Sequence, residues 1–147
     1  MEYWKLPPRV KVLEALSAIA DNRIKLVSDK EAFVTSSLGD KTYHVKWDGD
    51  KGITADDNGS VYRGYLGYPS IAFLMIKGLL PYDEEIAMAL KGVKWKTINE
   101  KFKKYRIVEA YVKEIAEKKG VKRDKIDNFI ERVLNEIKNK KFYKILS

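Results

Sequence analysis

The chain has 147 residues, 45% hydrophobic and 34% charged, with one His, no Cys and a formal net charge of +8. That length suits one domain with a real core; without thiols there is no disulfide framework, Cys-based zinc site or thiol catalysis, and a single His leaves little for a His-based metal site, so no cofactor is expected. The longest apolar run, Ile71 to Ile76, is too short to span a bilayer and the first residues lack a basic-then-apolar signal pattern, which predicts a soluble, cytoplasmic protein with no membrane partner.

Pro7 and Pro8 precede Val12, Leu13, Leu16, Ile19 and Ala20, whose spacing predicts an amphipathic helix opened by proline and closed near Asn22. From Arg23 to Tyr68 the period shortens. Ile24 and Leu26, Phe33 to Thr35, and Tyr43, Val45 and Trp47 alternating with Thr42, His44 and Lys46 read as short strands. Turn chemistry at Leu38-Gly39-Asp40-Lys41, Asp48-Gly49-Asp50-Lys51-Gly52 and Asp57-Asn58-Gly59-Ser60 joins them into an antiparallel meander of about four strands.

After Tyr68 the chain is helical. Ile71 to Lys77 predicts a short buried helix stopped by Gly78, and Asp83, Glu84 and Glu85 start another that ends at Gly92. Thr97 and Glu100 have capping-box spacing, and Ile98, Phe102, Tyr105, Val108, Val112 and Ile115 predict one long helix from Thr97 to Gly120. Asp124 is the expected cap of a last helix burying Ile126, Phe129, Ile130, Val133, Leu134 and Ile137, and Phe142, Tyr143, Ile145 and Leu146 predict a docked tail. The expected fold is α+β in a single domain, residues 1–147: an N-terminal helix plus a small antiparallel meander over 1–68, and a helical part over 69–147 ending in an αα-hairpin.

The charge is uneven. Residues 1–90 carry 11 Lys/Arg against 13 Asp/Glu, and residues 91–147 carry 18 against 8. Within that last part the excess lies in two clusters, Lys91 to Arg106 and Lys138 to Lys144, around a balanced middle where Glu109 with Lys113 and Glu114 with Lys118 have the favourable i,i+4 order. Folding the last two helices into a hairpin would bring Lys101, Lys103 and Lys104 beside Lys138, Lys140, Lys141 and Lys144, with Lys94 and Lys96 nearby. Lysines at the end of a helix are stabilised by its dipole and need no ligand, whereas Lys96, Lys101, Lys103 and Lys104 crowd the predicted start of one.

Tyr62, Arg63 and Tyr65, near Gly64 and Gly67, have the composition of a base-stacking platform, although a regular strand would put Tyr62 on the opposite face from Arg63 and Tyr65 unless it bends at Gly64. His44 stands alone and reads as structural. Asp48, Asp50, Asp56 and Asp57 are turn formers whose spacing departs from an EF-hand loop. No phosphate loop, dinucleotide fingerprint or nucleophile elbow is present.

The stretch from Lys41 to Gly59 followed by Gly67-Tyr68-Pro69-Ser70-Ile71-Ala72 loosely resembles a SWIM-type ββα zinc module. The positions nearest that family's ligands, Thr54, Asp56, Tyr68 and Ser70, include no Cys or His, so the resemblance implies a metal-free remnant over about a quarter of the chain. High Lys and Glu content also resembles small uncharacterised proteins of hyperthermophilic archaea, whose charged surfaces form ion-pair networks. Taken together, these features predict a non-catalytic protein that binds RNA or DNA through the lysine clusters, Tyr62, Arg63 and Tyr65. The alternative is a protein-interaction or homo-oligomeric module using Tyr3, Trp4 and the Ile71 to Leu80 region; an enzyme comes third.

Overall fold

The computed structural model describes residues 1–145. Helix α1, Val10–Ala20, follows the two prolines and ends where Asn22 turns left-handed at φ +56°. Small apolar residues on its second side, Ala15 and Ala18, are as buried as Leu13 and Leu16. The helix is therefore covered on several sides, packing against α2 (Tyr68–Ile76), α3 (Glu84–Ala89), α5 (Tyr105–Lys118) and α6 (Arg123–Lys140), rather than lying amphipathic at the surface. Inside this packing the Ser17 hydroxyl donates to the Leu90 carbonyl at 2.8 Å, which satisfies both groups.

Four strands, β1 (Ile24–Ser28), β2 (Glu31–Thr35), β3 (Thr42–Trp47) and β4 (Ile53–Ala55), form an antiparallel meander in chain order. Alternation puts Ala32, Val34, Val45, Ile53 and Ala55 on the helix-covered face. The opposite face carries Phe33, stacked on His44 with ring centroids 4.6 Å apart; His44 is held by Glu31, in keeping with a structural histidine. α2 covers β3 and β4, and its Ile71, Ala72, Phe73 and Leu74 have no exposed surface. Of the Ile71 to Leu80 region, Ile76, 41% exposed, is the large apolar side chain left at the surface.

Four sequence expectations are corrected here. The long helix breaks at Lys103, whose φ of +59° ends α4 (Trp95–Phe102) before α5 begins, so the longest helix is α6. Trp95 and Ile98 of α4 are buried, and Phe102 packs on Tyr111 with centroids 5.1 Å apart, so the chain doubles back to bury α4 instead of extending α5. Tyr105, expected to face α6, is 47% exposed, and the buried stripe of α5 is Val108, Val112 and Ala116. Thr97 lies within α4 rather than capping it, and α6 starts with Lys122 at its N-cap, leaving Asp124 in the first turn. The turn at Gly120, at φ +94°, is where the hairpin spacing placed it.

The terminal segments close the sheet edge beyond β4. Ile53 N–H donates to the Tyr143 carbonyl, Tyr143 N–H to Lys51, and Trp4 N–H to Phe142, while Tyr3 bridges Tyr143 antiparallel. On the other side of this strap, Lys5 N–H donates to Gly64 and Leu66 N–H to Lys5. Phe142 is 1% exposed, so the tail docks; Leu146 lies outside the described residues. No helix among the described residues is long and apolar enough to cross a membrane.

Candidate functional site

Tyr62 and Arg63 lie in a π-helical turn, residues 59–63, and not in the strand that their alternation suggested. Asp57 produces the turn. Its buried carboxylate accepts from the Ser60 hydroxyl at 2.7 Å and the Ser60 amide at 3.3 Å, and its carbonyl accepts from Val61 N–H. Gly64, at φ +73°, ends the turn and sends the chain back along Lys5. Two other glycines set the depth of this wall. A Cβ on Gly59 would overlap the Tyr65 ring and one on Gly67 the Asp57 carboxylate, so both side chains are seated directly on backbone.

Opposite the turn stands the break between α4 and α5. With α1, the two walls enclose a cleft in two connected parts that share Lys11, Asn58, Gly59, Tyr65 and Asn99. The outer part, about 610 Å³, is lined by Tyr62, Arg63, Lys103 and Tyr105. The inner part, about 320 Å³, runs between α1 and the β2–β3 turn to Tyr43, Tyr68 and Trp95. Tyr65 and Tyr105 hydroxyls meet across the cleft at 3.5 Å.

Two of the inner lysines are paired with acids, while Lys41 has no ion pair among the described residues. Lys11 lies 2.9 Å from Glu14 and 5.3 Å from the centre of the Tyr105 ring. Burial works against its charge, but Glu14 outweighs it and leaves Lys11 above the ordinary lysine range. Lys96 lies 2.7 Å from Asp40; its hydrogen bond, joined by one from Ser36, holds the Asp40 carboxyl down at about 2. Burial pushes Asp57 up despite its bonds to Ser60. Burial likewise raises Tyr65, reinforced by Tyr105, and Tyr68, reinforced by Glu14. Two buried atoms of this part, Trp95 Nε1 and Asn99 Oδ1, have no hydrogen-bond partner among the described residues.

Of the residues singled out from sequence, Tyr62, Arg63, Tyr65 and Lys103 thus meet at the outer cleft, and Lys96 lines the inner one. The Lys144 ammonium lies beside Gly64, 4.8 Å from the centre of the Trp4 ring and bonded to Glu2. Lys140 turns instead to the Leu79 carbonyl and Glu136. Lys94 and Lys104 take the N-cap positions of α4 and α5, Lys101 lies over the Phe102 ring, and Lys138 and Lys141 stand at the end of α6. The break at Lys103 removes the continuous hairpin on which merging of the two clusters depended. Lys94, Lys101, Lys103, Lys104, Lys138 and Lys141 have no ion pair among the described residues.

Sequence reading missed Lys11, Glu14, Trp95, Asn99 and Tyr105 as cleft residues. One signal was available: Glu14, three residues after Lys11, sits among apolar neighbours on both sides of α1, and a buried acid of this kind requires a partner.

Residues 4–143 match the model of a family described as Uncharacterised conserved protein UCP014422. No curated protein and no solved structure matches the chain.

Proposed function

The chain belongs to that uncharacterised conserved family, and we propose that it is a non-catalytic binder of single-stranded RNA or DNA acting through the outer cleft. One juxtaposition carries this: Tyr62, Arg63 and Tyr65 from the π turn share an open cleft with Lys103 from a distant helix break. Arg63 and Lys103 have no acidic partner among the described residues, and Tyr62 is 79% exposed. Cations that follow a phosphate backbone, with rings at hand for stacking, are the means by which proteins hold unpaired strands. The buried acids and base of the inner part support a wall rather than a reaction, because Lys11 with Glu14 and Asp57 with Ser60 already satisfy one another.

Fluorescent single strands and duplexes of RNA and DNA, titrated at two salt concentrations, test the proposal. With about three phosphates engaged, the log–log salt slope for a single strand should be near −2, at ~0.7 released ions per phosphate. Charge reversal at Arg63 and Lys103 should weaken binding to all sequences and flatten that slope. No binding to any strand at low salt would discard this function.

A further inference from the structure

We propose that the strap beside Gly64 is a further phosphate position for the bound single strand, and that the Glu2 carboxylate fills it until a phosphate takes its place. This assignment rests on the nucleic-acid reading of the outer cleft and continues that site past the end of the π turn.

Gly64 follows Arg63 directly, and both terminal segments reach it. A Cβ at Gly64 would lie 3.8 Å from Lys144 Nζ and 3.9 Å from Lys5 Cε, so lysines from opposite ends of the chain converge beside the residue that ends the turn. Lys5 is exposed and has no ion pair among the described residues. Lys144 lies over the Trp4 ring, and its ammonium is bonded to Glu2, whose side chain is 65% exposed. The cations therefore continue from Lys103 and Arg63 in the cleft to Lys5 and Lys144 on the strap.

An anion already sits on these lysines. The hydrogen bond from Lys144 and its charge, joined by the charge of Lys5, hold the Glu2 carboxyl below the ordinary range. Yet the pair is not what closes the strap. Lys144 N–H donates to the Glu2 carbonyl at 2.8 Å, Trp4 N–H to Phe142 at 3.0 Å and the Trp4 indole to the Ile53 carbonyl at 2.7 Å, so these bonds keep the ends together when the carboxylate leaves. An ion pair this open to water contributes little to stability and is readily exchanged. A phosphodiester presents a like charge on two oxygens and arrives tethered by the phosphates at Arg63 and Lys103, which favours it over a free anion.

Removing the acid makes the test, because it predicts a gain. Titrated with a fluorescent single-stranded dodecanucleotide at low salt, Glu2→Gln should bind ~2- to 5-fold tighter than wild type, the worth of an exposed ion pair. Glu117→Gln, which makes the same change of net charge at the end of α5 away from the cleft, should bind as wild type does. Lys5→Gln with Lys144→Gln should weaken binding, flatten the log–log salt slope by ~0.7 for the lost phosphate and abolish the effect of Glu2→Gln. If the strand binds with its salt slope but Glu2→Gln gives no gain, or Glu117→Gln gives an equal one, the strap position is wrong and the outer reading survives. A poly-glutamate peptide that gains from Glu2→Gln as much as the strand does would also overturn it, by assigning the strap to an acidic protein. No binding of the strand by either wild type or Glu2→Gln would end both readings.

Discussion

The waist of the α5–α6 hairpin and the break before it use their basic residues in opposite ways. At the waist Arg9, from the start of α1, reaches Glu109 at 3.1 Å, Asp127 at 2.8 Å and also Glu131, while Lys113 joins Glu109 at 3.2 Å and Asp127 at 2.8 Å. Around the break, Lys101, Lys103 and Lys104 have no acid partner among the described residues. Local composition already marks the break as the more basic of the two. What separates them is whether opposite charges from distant segments arrive, and Arg9 is such an arrival, a hundred or more residues from its partners in sequence.

The largest test of this contrast removes a hairpin side chain beneath the waist. Ile130 has no exposed surface, so Ile130→Ala should cost ~2 to 5 kcal/mol in urea unfolding. Phe102→Ala, at the break, should cost less, because that ring is only partly buried; equal losses would mean that the break is as much core as the hairpin.

A smaller effect is expected from Glu109→Ala. Its side chain is 13% exposed and it holds both Arg9 and Lys113, so its loss should cost ~1 to 3 kcal/mol, reduced from a fully buried pair because Arg9 is partly solvated. Lys118→Ala, with its side chain 77% exposed, should stay within ~0.5 kcal/mol. Lys113→Ala belongs with Glu109 rather than with Lys118, although i,i+4 spacing from sequence puts Lys113 and Lys118 in one class.

At the break the expected change is in binding and not in stability. Arg63→Glu with Lys103→Glu should leave the urea midpoint nearly unchanged while weakening single-strand affinity at low salt; a large stability loss would place these cations in the fold's own electrostatics.

The smallest effect concerns pH. Asp40 has its folded pKa near 2, below its ordinary value of 3.8, so between those values the unfolded chain binds more protons than the folded one. The contribution of the Lys96–Asp40 contact is therefore complete above about pH 4 and is lost as pH falls towards 2. Asp40→Asn should flatten the acid end of the stability curve, its small loss being present above about pH 4 and gone near pH 2, as thermal unfolding at several pH values would record.

Much of the fold was legible because its signals are local. Alternating Tyr43, Val45 and Trp47, the helix stop at Asn22, the acids ahead of Ile86 and the glycine at 120 each act within a few residues. The break at Lys103 was not, since Phe102-Lys103-Lys104-Tyr105 contains neither Gly nor Pro and a left-handed lysine is an unfavourable local choice. Packing of Trp95, Ile98 and Phe102 imposes it from outside the segment. The π turn escaped for the opposite reason: Tyr62 and Tyr65 look like strand residues, and only the bonds that Asp57 makes to Ser60 force the wider helix. Of the site, residue types were readable at Tyr62, Arg63, Tyr65 and Lys103; their meeting depended on both irregularities.

The strap of terminal segments also sets an order of events during synthesis. Tyr143 pairs with both Tyr3 and the Gly52 edge, and the first of these contacts spans nearly the whole chain. While the chain emerges, α1 and the meander can form early, but the β4 edge stays open until Tyr143 leaves the ribosome, and an open edge is a template for another chain's strand. β4 is only three residues long, which keeps that waiting edge small. A nascent chain arrested before residue 140 should therefore fold its meander yet self-associate, whereas one released a few residues later should not.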